Sequence, residues 1–332
     1  MSMYVIDFSE PKWLINYYHL IGFLSVLLNS LGIYLLQFHC EKLGSFRYWL
    51  LSYQLTCFAT DVHFTFLCQP VLLFPLFSAY TVGYLSEWFN VPMFYSIVII
   101  YNLSGLQFLL LVLSFVKKHR TLATLTNGFK FPKFMDPVYF SLYIISFICA
   151  EVVLDSVRLS PNEQLEYIRK TTPEYLADFQ VLKNFELFVK SQTVYYLLYF
   201  LFSIGAVVIA PITFSVLAIF RTMHHLKQKI SPATYRKHSE AIKCLVVQIT
   251  TMSSAMAPLL LLGAALMLEY EYAQLLGGLC LAWFSSHSSL NVVSLLMFFP
   301  PFKAYLKEQS TRFLSKQNKV KEKISTVTVR LP

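Results

Sequence analysis

The sequence predicts an all-α membrane protein, a bundle of seven transmembrane helices with its N-terminus outside the cell and its C-terminus in the cytosol. Three observations predict it. Of the 332 residues only 14% are charged, while 56% are hydrophobic and 17% aromatic. A soluble domain carries about 25% charged residues and needs them to cover its surface. Seven apolar runs reach the ~20 residues with which a helix crosses hydrocarbon while bonding its own backbone. Finally, lysine and arginine collect in alternate connecting segments.

The runs are 14–38, 48–73, 91–116, 137–155, 194–220, 241–268 and 273–299. The first is too long for a signal-peptide core and lacks a small-residue cleavage site, so it is expected to remain as a span. The second carries one acid, Asp61. The third contains the only glycosylation sequon, Asn102-Leu103-Ser104, which burial in a span should leave unused. The fourth is the shortest and holds Glu151 and Asp155, four residues apart, with Arg158 three further on. The fifth and sixth contain Pro211 and Pro258, and the sixth has Lys243 at its edge. Residues 1–13 form the extracellular N-terminus, 157–193 a long extracellular loop and 300–332 a basic cytosolic tail.

Orientation follows from charge. One set of connections holds Lys42 and Arg47, then Lys117, Lys118, Arg120, Lys130 and Lys133, then Arg221, Lys227, Lys229, Arg236 and Lys237. The tail adds eight more, which makes 20 basic residues on one side. On the other, the five bases of the long loop are matched by Glu163, Glu166, Glu174, Asp178 and Glu186. The richer side is read as cytosolic. The net charge of +9 is thus juxtamembrane, facing lipid headgroups and not nucleic acid.

Two connections have structure of their own. Ser160-Pro161-Asn162-Glu163 is a capped helix start, and Thr171-Thr172-Pro173-Glu174 repeats the signal. Tyr175, Phe179, Leu182, Phe185 and Val189 then recur at helical spacing, predicting a short helix over the outer mouth or on the membrane surface. After Pro300-Pro301, apolar residues alternate with bases, as in a helix in the inner headgroup plane; the last residues read as disordered.

Polar residues deep in a span are functional candidates because lipid solvates them badly. Asn29, Asp61 and His287 each lie about 13–15 residues into their runs, near the midplane at ~1.5 Å per residue, with Asn291 one turn beyond His287. They make either a polar switch, with protonation of Asp61 or a bound cation, or a static network worth about 0.6 kcal/mol per bond. A metal site of His63 with His287 is the weaker alternative. Cys40, Cys57, Cys68, Cys149, Cys244 and Cys280 lack zinc-ligand spacing and read as packing residues. No phosphate-binding loop, dinucleotide fingerprint, HExxH or nucleophile elbow occurs, so neither an enzyme nor a cofactor is expected.

Seven spans with basic inner loops and a basic tail follow the plan of G-protein-coupled receptors. In detail the chain resembles the nematode serpentine chemoreceptors of the Str superfamily, class I most closely and class H next. The resemblance runs from about Ile6 to Leu306. It rests on IDFSEPKWLINYYHLIG, on FRYWLLSYQLTCFATDVHFTFLCQPVLLFP from Phe46 to Pro75, on AYTVGYL from Ala79 to Leu85, on KHSEAIKCLVVQ with Gln248 and Pro258 ten apart, and on NVVSLLMFFPPFKAYL. It implies a plasma-membrane receptor of sensory neurons, in the cilium, that detects a small molecule. Departures from rhodopsin-like receptors are an Arg120 without a preceding acid, Val292 where a proline would follow Asn291, and no cysteine pair on the outer side.

The expected function is a chemosensory receptor that binds an odorant- or pheromone-like molecule and signals to a heterotrimeric G-protein. The rivals are a seven-helix transporter or channel and a non-signalling receptor-like protein. Phe94, Tyr95, Tyr195, Tyr196 and Trp283 are the expected ligand wall. Asn29, Asp61, His287 and Asn291 form the midplane switch. Lys117, Lys118, Arg120, Arg221, Arg236 and Lys237 face the G-protein.

Overall fold

The computed structural model describes residues 6–126, 129–189, 191–267 and 270–328. Seven long helices form the bundle: α1 (Lys12–Phe38), α2 (Phe46–Val62), α4 (Met93–Thr126), α5 (Met135–Ser156), α8 (Gln192–Leu226), α9 (Pro232–Met267) and α10 (Ala273–Phe298). Between them run the short helices α3 (Tyr84–Phe89), α6 (Pro161–Thr171) and α7 (Leu176–Val181), and α11 (Pro300–Thr328) follows the last span. Three strands, β1 (Pro70–Leu73), β2 (Ser78–Thr81) and β3 (Phe185–Leu187), make an antiparallel sheet in that order. The sheet lies across one end of the bundle, the sheet end; α11 leaves from the other, the tail end.

Each span buries one stripe and exposes apolar residues elsewhere. On α1 the buried face is Leu14, Tyr18, Gly22, Ser25, Asn29, Gly32, Leu35 and Leu36, at three- and four-residue steps. Leu20, Phe23 and Leu27 are more than half exposed on the outside. Polar groups inside and oil outside invert the pattern of a water-soluble helix, as lipid surroundings demand. Gly22 lets the second span approach closely, since a Cβ there would sit 2.7 Å from the Phe66 ring. Helix α4 packs against α2, α5, α8 and α9, and α10 closes the ring between α1 and α9.

Several boundaries differ from the sequence reading; α8 runs six residues past Phe220, and α9 begins at Pro232, nine residues before Ala241. The second span is helical only to Cys68, through a π-helical turn over His63–Cys68, and its expected last residues are strand β1. Pro70 lacks an N–H and disfavours a helical residue before it; Gln69 turns left-handed (φ 47°), and its side-chain amide donates to the Thr65 carbonyl at 2.7 Å. The third span continues ten residues past Val116 as α4, about 51 Å of helix that carries Lys117–Arg120 beyond ~30 Å of hydrocarbon. The helix expected after Pro173 stops at Val181: Leu182 is extended and Asn184 left-handed (φ 53°), so Phe185 enters the sheet. Ser160 and Glu163 do form the expected capping box at α6. The tail is helical as far as Thr328, longer than its composition implied.

The sheet and its flanking helices have their own core. Val71, Leu73, Tyr80, Ile168, Tyr175, Phe179 and Leu187 cluster there, with Ile6 and Phe8 packed on them. This cap is tied to the bundle by the Tyr18 hydroxyl, which donates to the Pro70 carbonyl at 2.9 Å.

Candidate functional site

The four midplane residues converge, and other polar groups join them. Ser25 donates its hydroxyl to the Asp61 carboxylate. The Asn29 amide donates to Ser25 Oγ at 2.8 Å and to Asp61 Oδ2 at 3.4 Å. Asn29 Oδ1 in turn accepts from the Gln54 amide and, at 3.0 Å, from the Ser288 hydroxyl. Gln54 Oε1 accepts from Asn291 at 3.1 Å, and Asn291 Oδ1 accepts from Thr251 at 3.1 Å. One chain of bonds thus links α1, α2, α9 and α10.

A second branch reaches α4. The Gln107 amide donates to Thr60 Oγ1 at 2.5 Å, and Gln107 Oε1 lies 3.4 Å from His287 Nε2. His287 Nδ1 donates to the Phe284 carbonyl at 2.8 Å. A neutral imidazole then presents Nε2 as an acceptor, whereas a protonated ring donates to Gln107 Oε1. Asn29, Gln54, Asp61, Gln107, His287 and Asn291 are all buried. Gln248, on α9 one turn before Thr251, is buried, and among the described residues neither amide atom has a partner.

Sequence reasoning missed Gln54, Gln107, Ser25, Thr60, Thr251 and Ser288. The signals were present for some: Gln54 lies two turns before Asp61, and Ser25 one turn before Asn29. Thr60 and Thr251 carry no such signal, because a helix accepts a hydroxyl by bonding it to its own carbonyls. His63 meets the Ser96 carbonyl at 3.2 Å, away from His287. Among the described residues, no group of three His, Cys, Asp or Glu side chains could hold a metal ion.

The expected ligand wall is not brought together. Phe94 is buried, and the Arg158 guanidinium stands 4.6 Å from its ring centroid. Tyr95 is 51% exposed, Tyr196 65% and Trp283 45%. Trp283 continues the outer stripe of Leu279, Leu290 and Met297, while the buried face of α10 carries His287 and Asn291. The side chain of Tyr195 lies outside the described residues. The aromatic residues that do face inward between cap and network are Tyr18, Phe64 and Phe284, with ring centroids 5.7 and 5.2 Å apart in succession.

At the cap, Arg158 pairs with the buried Glu186 at 2.8 Å, and Gln164 Nε2 lies 3.4 Å from the same carboxylate. The hydrogen bond to Glu186 raises the Arg158 guanidinium above its ordinary pKa, against the effect of burial. Glu163, bonded to Ser160, is held below the usual carboxylate range.

The six bases at the tail end divide. Arg120 is spent on its own loop, with Asp136 at 2.6 Å and the Phe131 and Pro132 carbonyls at 2.9 and 2.6 Å. Lys118 is buried, and its Nζ lies 3.0 Å from His238 Nδ1, joining α4 to α9. Lys117 rests 4.5 Å over the Trp49 ring. Arg236 lies 3.8 Å from Glu240, whereas Arg221 and Lys237 are exposed.

A ring of seven helices around a buried polar network, capped at one end and basic at the other, defines a multi-pass membrane protein of receptor architecture. The chain belongs to the family of serpentine type 7TM GPCR chemoreceptors Sri, which it matches over residues 4–306. Its fold is similar to that of the crystal structure of squid rhodopsin, with a TM-score of 0.56 and 11% identity, over 91% of this chain and 85% of that one. At that identity the likeness is one of fold alone. No curated protein matches the chain.

Proposed function

We propose that the chain is a chemosensory receptor of the Str superfamily that binds a small odorant-like molecule near the sheet end and signals to a heterotrimeric G-protein at the tail end. The single observation that carries this reading is the hydrogen-bonded network across α1, α2, α4, α9 and α10. It lies between the inward-facing aromatics and the Lys118–His238 contact, so a ligand that favours one arrangement above can bias helix positions below. Gln248 supports a second arrangement, in which α9 brings its amide to the network.

In this reading the sheet end is outside and the tail end cytosolic, as the distribution of bases supports. The membrane is the plasma membrane, in a sensory cilium. The ligand site keeps Phe94 and replaces the outward-facing Tyr95, Tyr196 and Trp283 with Tyr18, Phe64 and Phe284. A ligand with differential affinity for two helix arrangements shifts their populations by that difference and no more. At the tail end, the exposed Arg221 and Lys237 meet the G-protein, and release of Lys118 from His238 opens the cleft.

Cells expressing the full chain with a promiscuous G-protein α-subunit, challenged with a panel of volatile molecules, test this. The expected result is a second-messenger rise that requires the G-protein. A ligand-evoked current that persists without it would establish the channel reading instead.

A further inference from the structure

We propose that the groove between α8, α9 and α10 at the tail end is a binding site for an anionic phospholipid, with Lys243 holding the headgroup phosphate. The groove encloses a cavity of about 610 Å³ walled by Phe220, Val246 and Phe298, with Ser239 and Ser294 among its polar groups. Phe220 and Phe298 are more than half exposed, on the outer surface of the bundle where acyl chains lie. The opposite face of α9 carries the buried Ala241, Cys244, Leu245 and Gln248. The groove therefore opens sideways to lipid, and only its inner wall, at Thr251, touches the polar network through Asn291.

Lys243 gives the groove a positive charge. It is exposed, and among the described residues no carboxylate pairs with it, the nearby Glu240 being turned to Arg236. A lysine on a lipid-facing surface must reach water or bind an anion. Phe298 is the last residue of α10, so the groove ends at the rim of the bundle, at headgroup level. An ammonium at the rim, hydroxyls beside it and an aromatic-walled channel along the helix match a phosphate, a glycerol backbone and an acyl chain in turn. Charge complementarity selects an anionic lipid over a zwitterionic one. The choice rests on the proposed orientation, which puts the tail end in the leaflet where such lipids collect.

The test is made with the full chain in nanodiscs of phosphatidylcholine with or without phosphatidylserine, followed by native mass spectrometry of retained lipid. Both leaflets carry the same lipid, so the result does not depend on orientation, which terminal tags examine separately. Phosphatidylserine should be retained over phosphatidylcholine by the native chain. Lys243→Gln should lower that retention about fivefold, the factor one lysine contributes at an anionic surface. Lys243→Arg should preserve it. Ser294→Phe, which fills the groove without touching charge, should displace the lipid as well. Losing a charge from a lipid-facing site leaves the fold intact, and an unchanged melting curve in pure phosphatidylcholine checks this. Native-like retention by both Lys243→Gln and Ser294→Phe would overturn the proposal, as would retention lost only in Lys303→Gln/Lys307→Gln, which would place the lipid on α11.

Discussion

The cap at the sheet end and the middle of the bundle are both fully buried, yet their interiors have opposite chemistry. The cap is filled by Val71, Leu73, Ile168, Phe179 and Leu187; the bundle centre by Asn29, Gln54, Asp61, Gln107 and Asn291. The surroundings explain the difference. Outside the membrane, water drives apolar side chains together, and each buried methylene contributes about 0.8 kcal/mol. Inside it, lipid tails are as apolar as leucine and give no such drive, so helices associate through close packing and interhelical hydrogen bonds. The cap is held by oil among water and the bundle by polar groups among oil. The polar middle is the part suited to rearrange, while the tail half of the bundle keeps an apolar core of its own around Leu50, Leu111, Phe115, Leu245 and Leu295.

That contrast can be broken at four points. The largest effect is expected from Phe179→Ala, which empties the centre of the cap. Truncating a buried phenylalanine costs about 3–5 kcal/mol, so the loop of residues 157–189 should become susceptible to limited proteolysis while the bundle's melting temperature holds. Glu186→Gln should cost less, about 1–3 kcal/mol, because Arg158 loses a charge-assisted partner; its readout is the same proteolysis at an intermediate rate. Gln54→Leu removes bonds to Asn29 and Asn291 at similar volume and should cost only about 1 kcal/mol. Its thermal unfolding should scarcely move, whereas signalling should. A large loss of stability there would mean that the network is structural cement. The smallest effect concerns Glu163. Its folded pKa is depressed, so its contribution to α6 is present above the unfolded pKa and lost as pH falls through the folded one. Carboxyl-carbon NMR should find its midpoint below that of an ordinary glutamate.

The legible parts of the fold were those set by length, charge and composition. Spans at 14–38, 137–155 and 273–299 overlap α1, α5 and α10 closely, because unbroken apolar length is a direct consequence of bilayer thickness. The α6 start was legible for a different reason: Ser160, Pro161 and Glu163 act locally. The sheet was not, since Phe185 shows an apolar helical period with Phe179 and is redirected by its pairing with Tyr80, far away in sequence. The side on which the expected ligand-wall aromatics lie was not legible either. An aromatic residue in a span faces lipid or core equally well, and Trp283 and Tyr196 face out. Asn29, Asp61, His287 and Asn291 were legible as buried polar groups because ionisable and amide groups are costly in lipid wherever they point, so depth alone located them. Arg120 shows the limit of charge: its position at the tail end was clear from sequence, but its commitment to Asp136 and two carbonyls depends on how the loop to α5 folds back.

The measurement that tests the coupling role of the network most directly is a dose–response curve for an agonist from the odorant panel. It should be taken in cells carrying the native chain or Asp61→Ala at matched surface density. Removing the carboxylate releases Ser25 and Asn29 and should shift potency at least about tenfold, about 1.4 kcal/mol of coupling. Superimposable curves would contradict the account, leaving the midplane network as packing alone.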